Sequence, residues 1–406
     1  MAASVSVSGI GAVSPAGIGL APLVGAVLAG RSLAAPDPTL RSCPVTVACR
    51  VPEFDPKALG VRRPALLDRY TQLALVAADE AMAAAGHSVT DRENARIAVV
   101  LGSGAGGTAT FERQTLALAA GGADDLSPMV LPAGLLNMAA GQVAIRFGAM
   151  GPCLAPCTAC ASGATAIGLA KQLLERDEAD VVLAGGAEAP VTPLYVAAFA
   201  RMGALSPGAR PPVEVCRPFD RARDGFVIGE GAGILVLERR DDILARGARP
   251  VADVAGYGAS ADASHVTAPH PQGRGAELAI GRALQDAGLA PGDVAYLNAH
   301  GTSTPVNDAV EARAVLAALG EGMPVSSTKG VLGHALGAAS ALEAIIAAVC
   351  TRDGWIPPTA NLVDPDDACA GLDLVVGRPR RRPVAAAMST SFGFGGQNAA
   401  LLFTAA

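Results

Sequence analysis

The chain has 406 residues, 51% hydrophobic and 17% charged, with a formal net charge of -6. That length fills two or three folding units with sizeable cores, and the composition excludes a disordered chain. The negative balance leaves no overall basic field to hold nucleic acid, so a nucleic-acid partner is not expected.

Aromatic residues are only 3% of the chain, so the core must be built from Ala, Val, Leu and Ile. The basic residues are nearly all Arg; Lys57, Lys171 and Lys329 are the only lysines, which makes each of them informative. The first thirty residues carry no charged side chain. The alternation in VSVSGIGAVS followed by Pro15 reads as strand, turn and short helix rather than a membrane span. No basic segment precedes it as a secretory signal would require, so a cytoplasmic chain without membrane association is expected. Eight cysteines are too sparse for a disulfide scaffold and would stay thiols there.

Short apolar runs then alternate with Ala-rich segments of helical period. ARIAVVLGSG (95–104) reads as a strand, SGATAIGLAKQLLERDEA (162–179) as a helix and DVVLAGGAEA (180–189) as a strand. After a boundary near 250 the rhythm returns: strand RPVADVAGYGASA (249–261), helix GAELAIGRALQDAG (275–288), strand VAYLNAHG (294–301) and helix VEARAVLAALG (310–320). Strand-like PVSSTKG (324–330) and the helix SALEAIIAAVC (340–350) follow, and AAAMSTSFGFGGQNAALLF (385–403) reads as two strands joined by a glycine turn. This is βαβ-type alternation, predicting an α/β fold with largely buried sheets in two halves, 1–250 and 251–406. Each half sets a strand, a turn of small residues and a helix start around a reactive residue type, which suggests duplication.

The stretch PCLAPCTACASGATAIG places Cys153, Cys157 and Cys160 within eight positions. A structural zinc site wants four ligands, and no further Cys or His lies within forty residues on either side, so no metal is expected. A redox pair of Cys157 and Cys160 lacks a thioredoxin-like setting. Cys160 stands out because a run of small residues starting a helix follows it. A thiol at a helix N-terminus feels the positive end of the macrodipole, which favours thiolate. Cys153, Cys157 and the remaining cysteines read as small buried hydrophobes. A nucleophilic Cys needs partners, and two of the five histidines sit in glycine-rich turns: His300 in NAHGTSTPVND and His334 in STKGVLGHALGAAS. Singly, each would read as a satisfied buried histidine.

Taken together, GPCLAPCTACASG, VLAGGAEAP, RPFDRARDGFVIGEGAG, NAHGTSTPVNDAVE, STKGVLGHALGAASALE and SFGFGGQN, in that order, resemble the β-ketoacyl-ACP synthases (ketosynthases) of the thiolase-like superfamily. The resemblance covers essentially the whole chain and is nearest the type II elongating enzymes. It implies a thiolase-like five-layered αβαβα fold of two related halves, dimeric, with the nucleophilic Cys in the first half and both His in the second. It implies an acyltransferase that condenses an enzyme-bound acyl chain with malonyl-ACP in fatty-acid or polyketide elongation. Residue by residue, Cys160 matches the acyl-accepting Cys, His300 and His334 the paired histidines, and Lys329 the motif lysine. Glu343 matches the carboxylate pairing with that lysine, and the amides of Cys160 and Phe394 match the oxyanion hole. Thr302 and Thr304 match residues holding the phosphopantetheine arm, with Phe394, Phe199 and Phe226 placed at the substrate pocket. Asp308 and Glu311 are expected to be structural, capping and bracing the helix after the turn. Both imidazoles are expected to serve decarboxylation by donating hydrogen bonds from Nε2.

The expected partners are acyl carrier protein (ACP) and either a second copy or a chain-length-factor-like subunit. No bound cofactor is expected, the substrates riding on the carrier's arm. Ala161, Ser340 and Gln397 depart from the usual fatty-acid pattern without removing a catalytic group. Ala105 stands where the elongating enzymes it resembles often carry a larger aliphatic, predicting an acyl pocket that is longer or open toward the dimer partner. Candidate docking sites for the acidic carrier are Arg62 and Arg63 with Arg69 behind them, and the run Arg378, Arg380, Arg381 and Arg382. The rival readings are a non-catalytic chain-length-factor-like partner, which the presence of Cys160 opposes, and a thiolase-type acyltransferase.

Overall fold

The computed structural model describes residues 4–87, 95–208 and 210–406, so residues 1–3, 88–94 and 209 of the expected first half lie outside it. In the first half run β1 (Val5–Ser14), α1 (Arg69–Ala84), β2 (Ile97–Gly102), α2 (Met138–Phe147), α3 (Ser162–Glu175), β3 (Val181–Glu188) and β4 (Gly231–Arg239). In the second run β5 (Ala252–Ala261), α4 (Arg274–Ala287), β6 (Tyr296–Asn298), α5 (Pro305–Leu319), β7 (Pro324–Ser326), α6 (Leu336–Asp353), β8 (Ala386–Gly393) and β9 (Gln397–Thr404). No described helix is long and apolar enough to cross a membrane.

The strands lie in the order β7-β6-β8-β9-β5-β1-β4-β3-β2, with short strands Asp373–Leu374 and Cys153–Leu154 at the two outer edges. β2 and β3 are parallel, as are β6 with β7 and with β8, while β1–β4, β3–β4, β5–β9 and β8–β9 are antiparallel. The half-sheets meet where β1 and β5 pair only at Ser6↔Asp253 and Val7↔Ala252. Helices α1 and α2 cover the outer face of the first sheet, α4 and α5 belong to the outer side of the second, and α3 and α6 lie between them. This is the αβαβα layering, a mixed α/β thiolase-like fold.

Burial on both faces explains why alternation in β1 does not mark a wet side: every residue from Val5 to Ser14 is buried. Its polar positions find partners inside, Ser6 bonding Asp253 and Ser8 the carbonyl of Val236. The middle layer is made of small residues. α6 is buried at every position from Leu336 to Thr351. A side chain on Gly163 of α3 would stand 2.8 Å from Ala341 Cβ. Ser340, one of the departures from pattern, accepts a hydrogen bond from the Ala164 amide at 3.0 Å and ties the two central helices together.

Three boundaries differ from the sequence reading. β6 ends at Asn298, so His300 stands in a loop whose Gly301 and Ser303 adopt positive φ, 38° and 68°. The following helix starts at Pro305 rather than near 310, because proline is preorganised for the first helical position. PVSSTKG leaves the sheet at Ser326, and Lys329–Leu332 form a short helix.

The close approach of β1 to α1 gives a direct test. A Cβ on Gly11 would lie 1.9 Å from the Ala77 carbonyl oxygen. Gly11→Ala is therefore expected to destabilise the fold by about 1–3 kcal/mol, read as a lower urea midpoint.

Candidate active site

Cys160 sits in a single 3-10 turn, Ala159–Ala161, that feeds directly into α3. The turn is tight: Ala159 has φ 49°, and Ser162 Oγ both accepts from the Thr158 amide (2.9 Å) and donates to the Ala159 carbonyl (2.6 Å). His334 occupies the matching place before α6. Its amide donates to Val227 O at 2.8 Å and its carbonyl accepts from Gly229 N at 2.9 Å. His300 follows β6, its amide donating to Glu311 at 2.7 Å.

These elements bring one thiol and two imidazoles together. One atom from each, the sulfur and two ring nitrogens, lies within 4.8 Å of the others. His334 Nε2 is 3.1 Å from Cys160 Sγ, and the two imidazole planes stand 5.5 Å apart at 85°. A sulfur and two imidazoles are a zinc-type donor set, but the buried Lys329 beside His300 opposes a divalent cation, and no fourth donor joins the group among the described residues.

Lys329 is 1% exposed. Its Nζ donates to the His300 carbonyl at 2.6 Å, pairs with Glu343 and lies 3.4 Å from His300 Nδ1. An ammonium can only donate, so Nδ1 of His300 accepts and the ring proton resides on Nε2. The Lys329 ammonium thus hydrogen-bonds to His300 and Glu343 and not to His334, its nearer neighbour in sequence. His334 Nδ1 has no protein partner, so neither tautomer of that ring is pinned.

Burial, helped by Lys329, holds both histidines well below their ordinary values, so both rings are neutral. Cys160 is pushed up to about 12, chiefly by burial; Lys329 opposes the shift, and Glu188 and Glu343 add to it. This corrects the expectation of a resting thiolate. The helix start supplies a favourable field, but the enclosing halves strip the sulfur of water, and desolvation is the larger effect. A thiol held protonated has a proton acceptor within reach in His334 Nε2, 3.1 Å away.

Glu311 accepts from the His300 and Gly301 amides, both at 2.7 Å, and from Thr390 Oγ1 at 3.0 Å. Asp308 accepts from the Phe219 amide at 2.8 Å and faces Arg223 at 3.5 Å. Both brace loops; neither caps α5, whose N-cap is Thr304. A cavity of about 410 Å³ opens on the three reactive groups and is walled by Phe199, Phe226 and Phe394, with Thr302 and Thr304 also on its lining. The two threonine hydroxyls are 2.9 Å apart. Gly393 lets the backbone leading to Phe394 lie on the nucleophile turn, since a Cβ there would meet Thr158 O at 2.5 Å and Cys160 N at 3.3 Å.

Several expectations are corrected. Ala105 does not line this cavity; its amide donates to Glu188 at 3.1 Å. Cys153 and Cys157 are exposed rather than buried, Cys153 because its short strand is a sheet edge, and all eight cysteines are free thiols. Arg69 is not available for docking: it bonds Glu230 through Nε and the terminal nitrogen and Val51 O at 3.1 Å. Arg380 is bound to Asp373, and Arg381 lies over the Trp355 ring at 5.4 Å, while Arg62 and Arg63 are exposed. The sequence reading gave Glu188 no role, although a carboxylate closing the apolar run VVLAGGA signals a buried charge.

Comparison with known proteins identifies the family. Residues 2–243 match the Beta-ketoacyl synthase N-terminal domain and residues 251–363 its C-terminal domain. A 3-oxoacyl-[acyl-carrier-protein] synthase 2 from Staphylococcus aureus (strain N315) is 46% identical over 341 residues, covering 83% of this chain and 82% of that protein. The solved ishigamide ketosynthase/chain length factor superposes with a TM-score of 0.94 at 34% identity, covering 100% of both chains. A type II polyketide-synthase acyl-carrier protein in complex with its ketosynthase bound to the hexaketide gives 0.92 at 31% identity, again covering 100% of both chains. The chain belongs to the β-ketoacyl synthase family.

The resting protonation state is testable. Lys329 pulls the Cys160 pKa down, so Lys329→Met is expected to move the pH profile of Cys160 alkylation by iodoacetamide to higher pH, followed by mass spectrometry of the Cys160 peptide.

Proposed function

We propose that this β-ketoacyl synthase transfers an acyl chain from acyl carrier protein to Cys160 and condenses it with malonyl-ACP, releasing CO2. The observation that carries the reading is the enclosed thiol with His334 Nε2 at 3.1 Å and a second neutral imidazole in the same cavity. In the first step Sγ attacks the thioester carbon while its proton passes to His334. The tetrahedral oxyanion accepts from the amides of Cys160 and Phe394, and the carrier's thiolate leaves with the proton. An acyl-Cys160 thioester remains.

In the second step the bond between the malonyl carboxylate and the α-carbon breaks, CO2 departs, and the electron pair becomes an enolate. Nε2–H of His300 and of His334 donate to its oxygen; Lys329 fixes the first tautomer, and the unpinned ring of His334 can supply the second. The enolate carbon attacks the acyl carbon, and Cys160 leaves as a thiolate that takes a proton from solvent, its own having departed with the carrier's thiol in the first step. Thr302 and Thr304 hold the phosphopantetheine arm, and Phe199, Phe226 and Phe394 surround the reacting carbons. These groups complete the reaction without a further cofactor.

Arg62 and Arg63, and the exposed Arg378 and Arg382 of the second run, remain the docking candidates for the acidic carrier. A second face also asks for cover: Ile145 (74% exposed), on a helix packed against the edge strand Cys153–Leu154, and Met150 (59%), just before that strand. A second copy or a chain-length-factor-like subunit would bury it. Retention of Cys160 makes this chain the catalytic member of either pair, in fatty-acid or polyketide elongation in the cytoplasm. Loss of CO2 from malonyl-ACP separates this reading from a thiolase.

Incubation with acyl-ACP should add the acyl mass to the Cys160 peptide, and Cys160→Ala should abolish both labelling and condensation. Removing one oxyanion donor should cost roughly 10²–10³-fold, so His300→Ala is expected to keep acyl transfer and lose decarboxylation by about that factor. His334→Ala is expected to slow both steps. Acylation lost with decarboxylation intact in His300→Ala would contradict the assignment.

A further inference from the structure

We propose that Glu188 is a positioning residue that holds His334 against Cys160, acting through the amide of Gly337. This rests on the condensation reading above and adds a residue to it. Glu188 ends β3 and is 0% exposed, and no Lys, Arg or His pairs with it among the described residues. A buried carboxylate without a counter-cation is costly unless donors surround it. Here there are four: Ser103 Oγ (2.7 Å) and Ala105 N (3.1 Å) on Oε1, Gly104 N (2.6 Å) and Gly337 N (3.0 Å) on Oε2.

The donors come from both halves of the chain. Residues 103–105 follow β2 and lie behind the nucleophile, a Cβ on Gly104 falling 3.3 Å from Ala159 O. Gly337 is in the first turn of α6, three residues after His334. A Cβ there would stand 2.7 Å from both Glu188 Oε2 and Gly104 N. One carboxylate therefore rivets the segment behind Cys160 to the helix that begins after His334. Between His334 and Gly337, Leu336 adopts φ 43°, a conformation that a leucine holds only when its surroundings impose it. The Val227 and Gly229 backbone fixes one end of that turn and Glu188 the other. Because His334 Nδ1 has no protein partner, its ring depends on this backbone for its placement.

Glu188 also acts by charge. It raises the Cys160 pKa, which Lys329 opposes, and Tyr70 and Tyr195 feel the same carboxylate. Burial pushes Glu188 itself up to about 7 against its donors. A residue that only braced the fold would leave the thiol's titration where it is.

The test is Glu188→Gln, which keeps volume but removes the charge and part of the acceptor capacity. A small misplacement of a reacting group can cost about 10²-fold, so condensation kcat per folded molecule should fall by up to that factor with KM for malonyl-ACP little changed. The iodoacetamide profile of Cys160 should move to lower pH. An unchanged kcat and an unchanged alkylation profile, with only the thermal midpoint lowered, would overturn the proposal. If Glu188→Gln does not fold, Ser103→Ala removes one donor and leaves the carboxylate. It should lower kcat to a smaller extent and shift the acid limb of the rate upward, because a lost donor raises the Glu188 pKa; an unmoved kcat and acid limb would overturn the proposal equally. Failure of wild-type protein to become acylated at Cys160 would instead count against the condensation reading.

Discussion

A single ammonium, that of Lys329, is enclosed beyond the reach of solvent, and the centre is arranged around its charge. Glu343 shares the charge, the His300 carbonyl accepts from it, and the ring nitrogen beside it must stay unprotonated. Burial, reinforced by the same charge, keeps both imidazoles neutral, and the charge partly offsets the burial that holds the thiol protonated. Chemistry that needs a proton acceptor in one step and donors in the next can use neutral imidazoles for both.

The fold delivers these groups by repeating one device. Cys160 precedes α3 and His334 precedes α6, so the starts of the two central helices carry the sulfur and the imidazole nitrogen 3.1 Å from it. His300 and Phe394 come from the ends of β6 and β8, which run parallel in register. Where helices of the middle layer meet strand ends from both halves, a cavity remains that neither half could form alone.

Much of this was legible in the chain. Ala-rich helices and glycine turns point to the α/β fold with its buried sheets, and the small residues after Cys160 to the helix start that follows it. What was not legible depends on partners far away in sequence. The sulfur's protonation is set by burial between halves, Arg69 is claimed by Glu230 161 positions on, and Lys329 reaches back 29 positions to His300 rather than forward to His334. Exposure of Cys153 follows from its place at a sheet edge, which local pattern cannot reveal. Glu188 went unremarked because its donors are mostly backbone amides, and no side-chain motif announces them.

The small-residue contacts of the middle layer bear on how such a protein can diversify. Gly163 and Gly186 lie so close to Gly337 that a single methyl on either would fall within 2.9 Å of its carbonyl oxygen, and one on Gly233 would stand 3.0 Å from the Leu342 amide. There is no slack in which a bulkier residue could be traded for a neighbour's shrinkage. Room for new chain lengths therefore lies at the aromatic rim of the cavity rather than at these glycines.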